Sequence, residues 1–318
     1  MFLESFKVTG LAVAQSFFMA AIGYFLIKKN ILGDEGMDAL SRLVIEITLP
    51  LLIFCQLLKD FSFSLYPNWW VFPLISIAIT IAGLAVGVIL SGFIKGGQHK
   101  LQFLSLVSFQ NSGYLTLALV TAFLPADKLG SMLIYIFLFL LGFNLVLFSF
   151  GMYMLSYTKA KKFEIASLFN PPVIATLVSM ALVFFGLNKI VPDALLLPLR
   201  MVGNCTVPLA MFVVGANIAS LRLVHIDKKA MALVILAKLI ILPLLGLWLV
   251  LKFRLPELVG LLIILQLAVP SATNLSVIIR HYKKDDLLIS QGIFLSHIVS
   301  IVTLPLFLSL YFALIMIK

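Results

Sequence analysis

From Leu101 to Ala126 the sequence carries no charged side chain. Ten apolar runs of spanning length succeed one another along the chain, near 10–28, 38–58, 70–94, 101–125, 130–157, 171–188, 194–219, 230–251, 258–279 and 289–316. About 20 apolar residues in a helix cross a bilayer. Lipid offers no hydrogen bonds, so each crossing segment must satisfy its own backbone as a helix or join a closed barrel. The runs are continuous and long rather than short and alternating, which excludes a barrel. With 11% charged residues, against about 25% in soluble domains, and a mean hydropathy of +1.16, water is excluded as the main solvent of these side chains.

The net charge of +10 does not point to nucleic acid, because the basic residues sit in short clusters between apolar runs, as at Lys28–Lys29 and Lys161–Lys162. That is the pattern of loops facing a cytoplasmic leaflet. With the N-terminus outside, inside loops hold thirteen Lys and Arg and outside segments seven. Both termini are therefore predicted outside, in a multi-pass protein of the cell (inner) membrane. The first run, followed by a second, reads as a retained helix rather than a cleaved signal.

An internal repeat sets the architecture. The stretch Ser41–Phe54, "SRLVIEITLPLLIF", matches Leu199–Phe212, "LRMVGNCTVPLAMF", at a shift of 158 residues, within one residue of half the chain. Arg42 falls on Arg200, Thr48 on Thr206, Pro50 on Pro208 and Phe54 on Phe212. Each half, 1–158 and 159–318, holds five spans. An odd number makes the second half enter from the opposite side, which gives an inverted repeat of the kind that secondary transporters use. The predicted fold is an all-α polytopic membrane protein of ten transmembrane helices, in two inverted five-helix repeats.

The fourth run contains "SFQNSGYLTL", Ser108–Leu117, and its counterpart, the ninth, contains "AVPSATNL", Ala268–Leu275. Pro270 removes a backbone N–H and clashes with the preceding turn, and Gly113 weakens a helix more softly. Broken helices at the midplane free backbone groups, and half-helix N-termini suit an anion. The predicted substrate-binding residues are Gln110, Asn111, Ser112 and Gly113 on the fourth span, with Pro270, Ser271, Thr273 and Asn274 on the ninth. The competing reading of the amides and hydroxyls is interhelical glue.

These segments resemble the auxin efflux carrier family. The carrying stretches are "TLPLLIF" at Thr48–Phe54, "QNSGYLTLAL" at Gln110–Leu119 and the region Ala268–Leu308, and the likeness covers essentially the whole chain. Where the family crossover has a second Gly and a Pro, this chain has Thr116 and Ala118. The resemblance implies a bile-acid-symporter-like fold, with a scaffold from spans 1, 2, 6 and 7 and a transport domain from spans 3–5 and 8–10. It also implies crossing fourth and ninth helices, alternating access, and a small organic anion as substrate, either an auxin-like indole acid or a malate- or malonate-like carboxylate. About a dozen residues separate the fifth and sixth spans, so the chain resembles a compact prokaryotic-type member rather than the larger plant carriers.

Glu46 is the acid well inside a span, a candidate for ion or proton coupling or for an ion pair with Arg42 one turn earlier. His297, beside Ser296 and Ser300, is a second coupling candidate or a packed, hydrogen-bonded histidine. Arg42 and Arg200 read as snorkelling anchors or as attractors of an anion. A coupling proton or sodium ion is the expected co-substrate, and no cofactor is expected. The scaffold helices offer a surface for a homodimer. No P-loop, nucleophile elbow or metal-ligand spacing appears, and Cys55 and Cys205 both lie within apolar runs. Enzyme, ATP-driven and nucleic-acid-binding readings therefore lack residues. The alternative that remains is a membrane-embedded ligand sensor or enzyme without transport.

Overall fold

A computed structural model describes residues 2–156, 168–221, 226–281 and 287–316. The predicted division at 158/159, and Lys159, Lys161, Lys162, Arg222, Lys283 and Lys284 of the charge count, lie outside the described residues. Among the described residues every regular element is helical. The helices are α1 (Phe2–Lys28), α2 (Glu35–Asp60), α3 (Val71–Ser91), α4 (Gly97–Ser108), α5 (Tyr114–Phe123), α6 (Ala126–Leu155), α7 (Pro171–Phe184), α8 (Asp193–Ala219), α9 (Lys228–Phe253), α10 (Glu257–Ala268), α11 (Asn274–His281) and α12 (Leu287–Met316).

Seven of these, α1, α2, α3, α6, α8, α9 and α12, are long and apolar enough to cross a membrane, and α5, α7 and α10 are shorter apolar helices. Each predicted run is helical over most of its described residues, but three of the ten are not one full-length helix, two of them the fourth and ninth, where breaks were expected. The run near 171–188 is a helix of 14 residues that ends at Phe184, where Gly186 takes φ +71 and turns the chain. The runs near 101–125 and 258–279 are each two helices with an extended break, at 109–113 and 269–273. Three of the long helices also widen into a π-type turn, at Leu43–Thr48, Leu147–Gly151 and Leu236–Ile241. Such turns often mark functional positions.

α1 packs on α8 and α12, and α2 packs on α7 and α8. α3 packs on α4 and α6, while α10 packs between α9 and α12. α5 and α10 are buried on nearly all sides, as helices at the centre of a bundle are. Lipid tails are as apolar as leucine, so helix association relies on close packing at small residues and on hydrogen bonds. At the α1–α8 contact, a side chain on Gly23 would collide with the backbone of Phe212, and one on Gly215 with the backbone of Ala20. Thr9 of α1 meets Ser309 of α12 at 3.1 Å between hydroxyls.

Loops predicted to share a face meet. Lys128 Nζ lies 2.7 Å from Glu257 Oε1, and Asn188 Nδ2 donates to the Leu58 carbonyl at 3.2 Å. Lys229 sits over the Phe93 ring at 5.7 Å. The Lys128–Glu257 pair is about 40% exposed on each side chain, so its energetic role is small.

Gly215→Ala is expected to destabilise the fold by about 1–3 kcal/mol through overpacking. Gly10→Ala, at a position with open space within 4 Å, is expected to be neutral or slightly stabilising. Thermal midpoints of the purified variants in one detergent check the contrast.

Candidate functional site

The two breaks lie against each other. Asn111 N donates to the Pro270 carbonyl at 2.9 Å, and Ala272 N donates to the Phe109 carbonyl at 2.9 Å. These bonds form a single antiparallel β-type pairing of Gln110 with Ser271. The residues that enter it are extended, Phe109 at φ −103, ψ 115 and Val269 at φ −66, ψ 148.

Interrupting a buried helix strands carbonyls at its end and N–H groups at the next start, and each needs a partner. Here the partners are specific. The Leu106 carbonyl, near the end of α4, accepts from Ser271 Oγ at 2.7 Å. The Ser112 carbonyl accepts from Gln266 Nε2 at 3.2 Å, and the Asn111 carbonyl from Thr116 Oγ1 at 3.3 Å. Ser271 N donates to Ser296 Oγ at 3.3 Å, and Ser112 N to the Gln110 carbonyl at 2.8 Å. Thr116, which stands where the family crossover has its second Gly, therefore closes the start of α5. Ala118 lies within α5, after the break, so no proline is needed there.

The predicted residues gather as the pairing requires. Gln110, Asn111, Ser112, Gly113, Thr273 and Asn274 all line one cavity of about 80 Å³, which Ile45, Tyr114, Asn144 and Asn170 also border. That volume is enough for a few water-sized groups, the scale of a carboxylate. Pro270 and Ser271 do not line it. Pro270 supplies the carbonyl that pairs with Asn111, and Ser271 spends its hydroxyl on Leu106. Both hold the crossover rather than face the cavity.

The lining carries no charged side chain among the described residues. Gln110 is 0% exposed, and neither amide atom has a hydrogen-bond partner among the described residues. The N-termini of α5 and α11 begin at the cavity with Gly113 and Asn274 beside them. The cavity is thus bordered by neutral donors and two helix starts, with no fixed cation among the described residues.

His297 of α12 is fully buried, with Nδ1 2.8 Å from the Ile293 carbonyl and Nε2 3.4 Å from Asn111 Nδ2. The carbonyl takes a proton from Nδ1, so Nε2 is the acceptor and Asn111 the donor. This histidine is packed and hydrogen-bonded, and one partner is a residue of the crossover. Glu46 lies on the π-type turn of α2, exposed, next to the lining residue Ile45. Among the described residues neither Glu46 nor Arg42 has an ion-pair partner, which corrects the reading of a pair one turn apart. Both side chains are exposed, where an ion pair gains little over solvation by water or headgroups.

Sequence reasoning did not assign roles to Gln266, Asn144 and Asn170. Gln266 was visible as part of the polar centre of its run. Asn170 stands before two prolines and at the sequence level shows only a helix start.

Helices of this number, length and hydropathy define a multi-pass integral membrane protein. The profile of the family described as membrane transport protein matches the chain twice, over residues 10–162 and 154–308. The chain belongs to that family, the auxin efflux carrier family, and is a membrane transport protein. Among curated proteins none matches it.

Ser271→Ala leaves the Leu106 carbonyl buried without its partner, which is expected to cost about 1–3 kcal/mol. A lowered thermal midpoint relative to wild type checks it, and an unchanged midpoint would show that the hydroxyl does not hold the crossover.

Proposed function

We propose that the protein is a secondary active transporter that moves a small organic anion by alternating access. The anion is an auxin-like indole acid or a malate- or malonate-like carboxylate. The observation that carries this reading is the neutral, donor-lined cavity at the paired breaks, where Gln110 presents a buried amide with no protein partner. Family membership supports transport as the activity, and paired broken segments suit the midplane site of inverted-repeat carriers.

In this reading the chain is two inverted five-helix repeats, 1–158 and 159–318. α4 with α5, and α10 with α11, form the crossing fourth and ninth spans. The scaffold is α1, α2, α7 and α8, and the transport body is α3–α6 together with α9–α12. Moving the transport body against the scaffold opens the cavity to one side and then the other. Substrate drives that exchange only to the extent that it binds the two states differently. Asn111 and Asn274 donate to the carboxylate, and Ser112, Gly113 and Thr273 shape its surroundings.

Coupling to a proton runs through His297 in this scheme, with Glu46 as the second candidate and sodium as the competing ion. Protonated Nε2 becomes a donor, so it can face Asn111 only if the amide turns its oxygen towards the ring. The Asn111 donors then turn away from the histidine, which ties a proton on α12 to the substrate site on α4–α5. His297→Gln is expected to retain exchange of labelled substrate but to lose uptake driven by a pH gradient. Retained pH-driven uptake would remove His297 from the coupling route.

Asn111→Ala and Asn274→Ala are each expected to reduce counterflow of labelled carboxylate in proteoliposomes by at least about tenfold, the effect of one lost charge-assisted hydrogen bond. Size-exclusion profiles should stay as in wild type. Counterflow by the wild type also separates a carrier from a sensor or enzyme that binds without moving its ligand.

A further inference from the structure

We infer that Asn170, at the start of α7, is the carboxylate-binding donor that the scaffold side contributes to the site, acting with Gln110 in the same cavity. The inference rests on the transport reading above and deepens it. Asn170 is the N-cap of α7, at φ −72 and ψ 159, and its Oδ1 accepts from Val173 N at 3.1 Å. That bond fixes the amide: the oxygen end belongs to the helix, and the nitrogen end is left for something else. Nδ2 is buried and has no hydrogen-bond partner among the described residues, while the residue borders the cavity.

The two residues that follow sharpen the point. Pro171 and Pro172 occupy the first positions of α7, and neither has a backbone N–H. A helix start usually offers its free N–H groups to an anion. The first turn of α7 has lost two of them, and the side-chain amide of Asn170 stands in their place. Gln110 gives the second, independent sign that the cavity awaits a ligand, since it is fully buried with both amide atoms unpaired among the described residues. A carboxylate accepts at two oxygens, so one head group can accept a hydrogen bond from each amide. One amide lies on α7, which packs on α2, and the other on the crossover. A bound carboxylate therefore bridges the two bodies of the proposed cycle in this conformation.

The test uses Asn170→Ser and Asn170→Asp in the full chain, purified in detergent, with malate, malonate and indole-3-acetate as probes. Ser and Asp are both good N-caps, so α7 keeps its start in each, but neither carries the amide donor. For the probe that wild type binds most tightly, Kd is expected to rise about ten- to a hundredfold in the Ser variant, as expected for losing a hydrogen bond to a charged group. It should rise further in the Asp variant, which sets a second anion against the carboxylate. The ligand-free thermal midpoints should match wild type. Wild-type Kd in both variants overturns the inference, and if the wild type still performs counterflow the transport reading stands without it. A ligand-free midpoint that falls in step with affinity assigns Asn170 to capping alone and also overturns it. Wild type that binds none of the three probes overturns both readings together.

Discussion

Everything at the centre of this molecule depends on one constraint: a backbone carbonyl or N–H released inside an apolar bundle must find another partner. Two helices stop at the same depth, and each is repaired by the other. The Phe109 and Pro270 carbonyls take the N–H groups of Ala272 and Asn111, and Ser271, Gln266 and Thr116 close three of the remaining carbonyls. Only once that exchange is complete can side chains such as Gln110 and Asn170 be left with unspent hydrogen-bonding capacity. Their availability is informative because their neighbours are satisfied.

The chemistry follows from what is absent from the lining as much as from what is present. In the proposed cycle, amides, hydroxyls and two helix starts would attract a carboxylate without a fixed positive charge, so that the interaction could be undone. Around this centre the helices approach closely where glycine allows it, at Gly23 and Gly215. Asn111 links the crossover to α12, its backbone N–H bound to the Pro270 carbonyl and its side-chain amide to His297.

Much of this was legible in the sequence, for physical reasons that can be named. Hydropathy located the seven helices of spanning length among the described residues because lipid demands length and continuity. Pro270 announced its break because a missing N–H cannot be hidden, and the cluster Gln110–Gly113 marked the other. What could not be read was the division of labour within those clusters. Ser271 and Gln110 look equivalent on paper, yet one hydroxyl is consumed by Leu106 and the other side chain is unspent, a difference that exists only once α4 and α10 are placed side by side. Asn170 was hidden because a helix cap and a ligand donor look the same in sequence. The Arg42–Glu46 pair is not formed, and both side chains are exposed, where pairing gains little.

In the proposed function the paired breaks hold the substrate carboxylate. An experimental structure of the protein, determined with the carboxylate that most raises its thermal midpoint, tests this directly. Ligand density is expected in the cavity, with a carboxylate oxygen within hydrogen-bonding distance of Asn111 or Gln110. Density placed elsewhere, such as the groove beside Lys100 and Met154, with the crossover cavity unchanged, would contradict it.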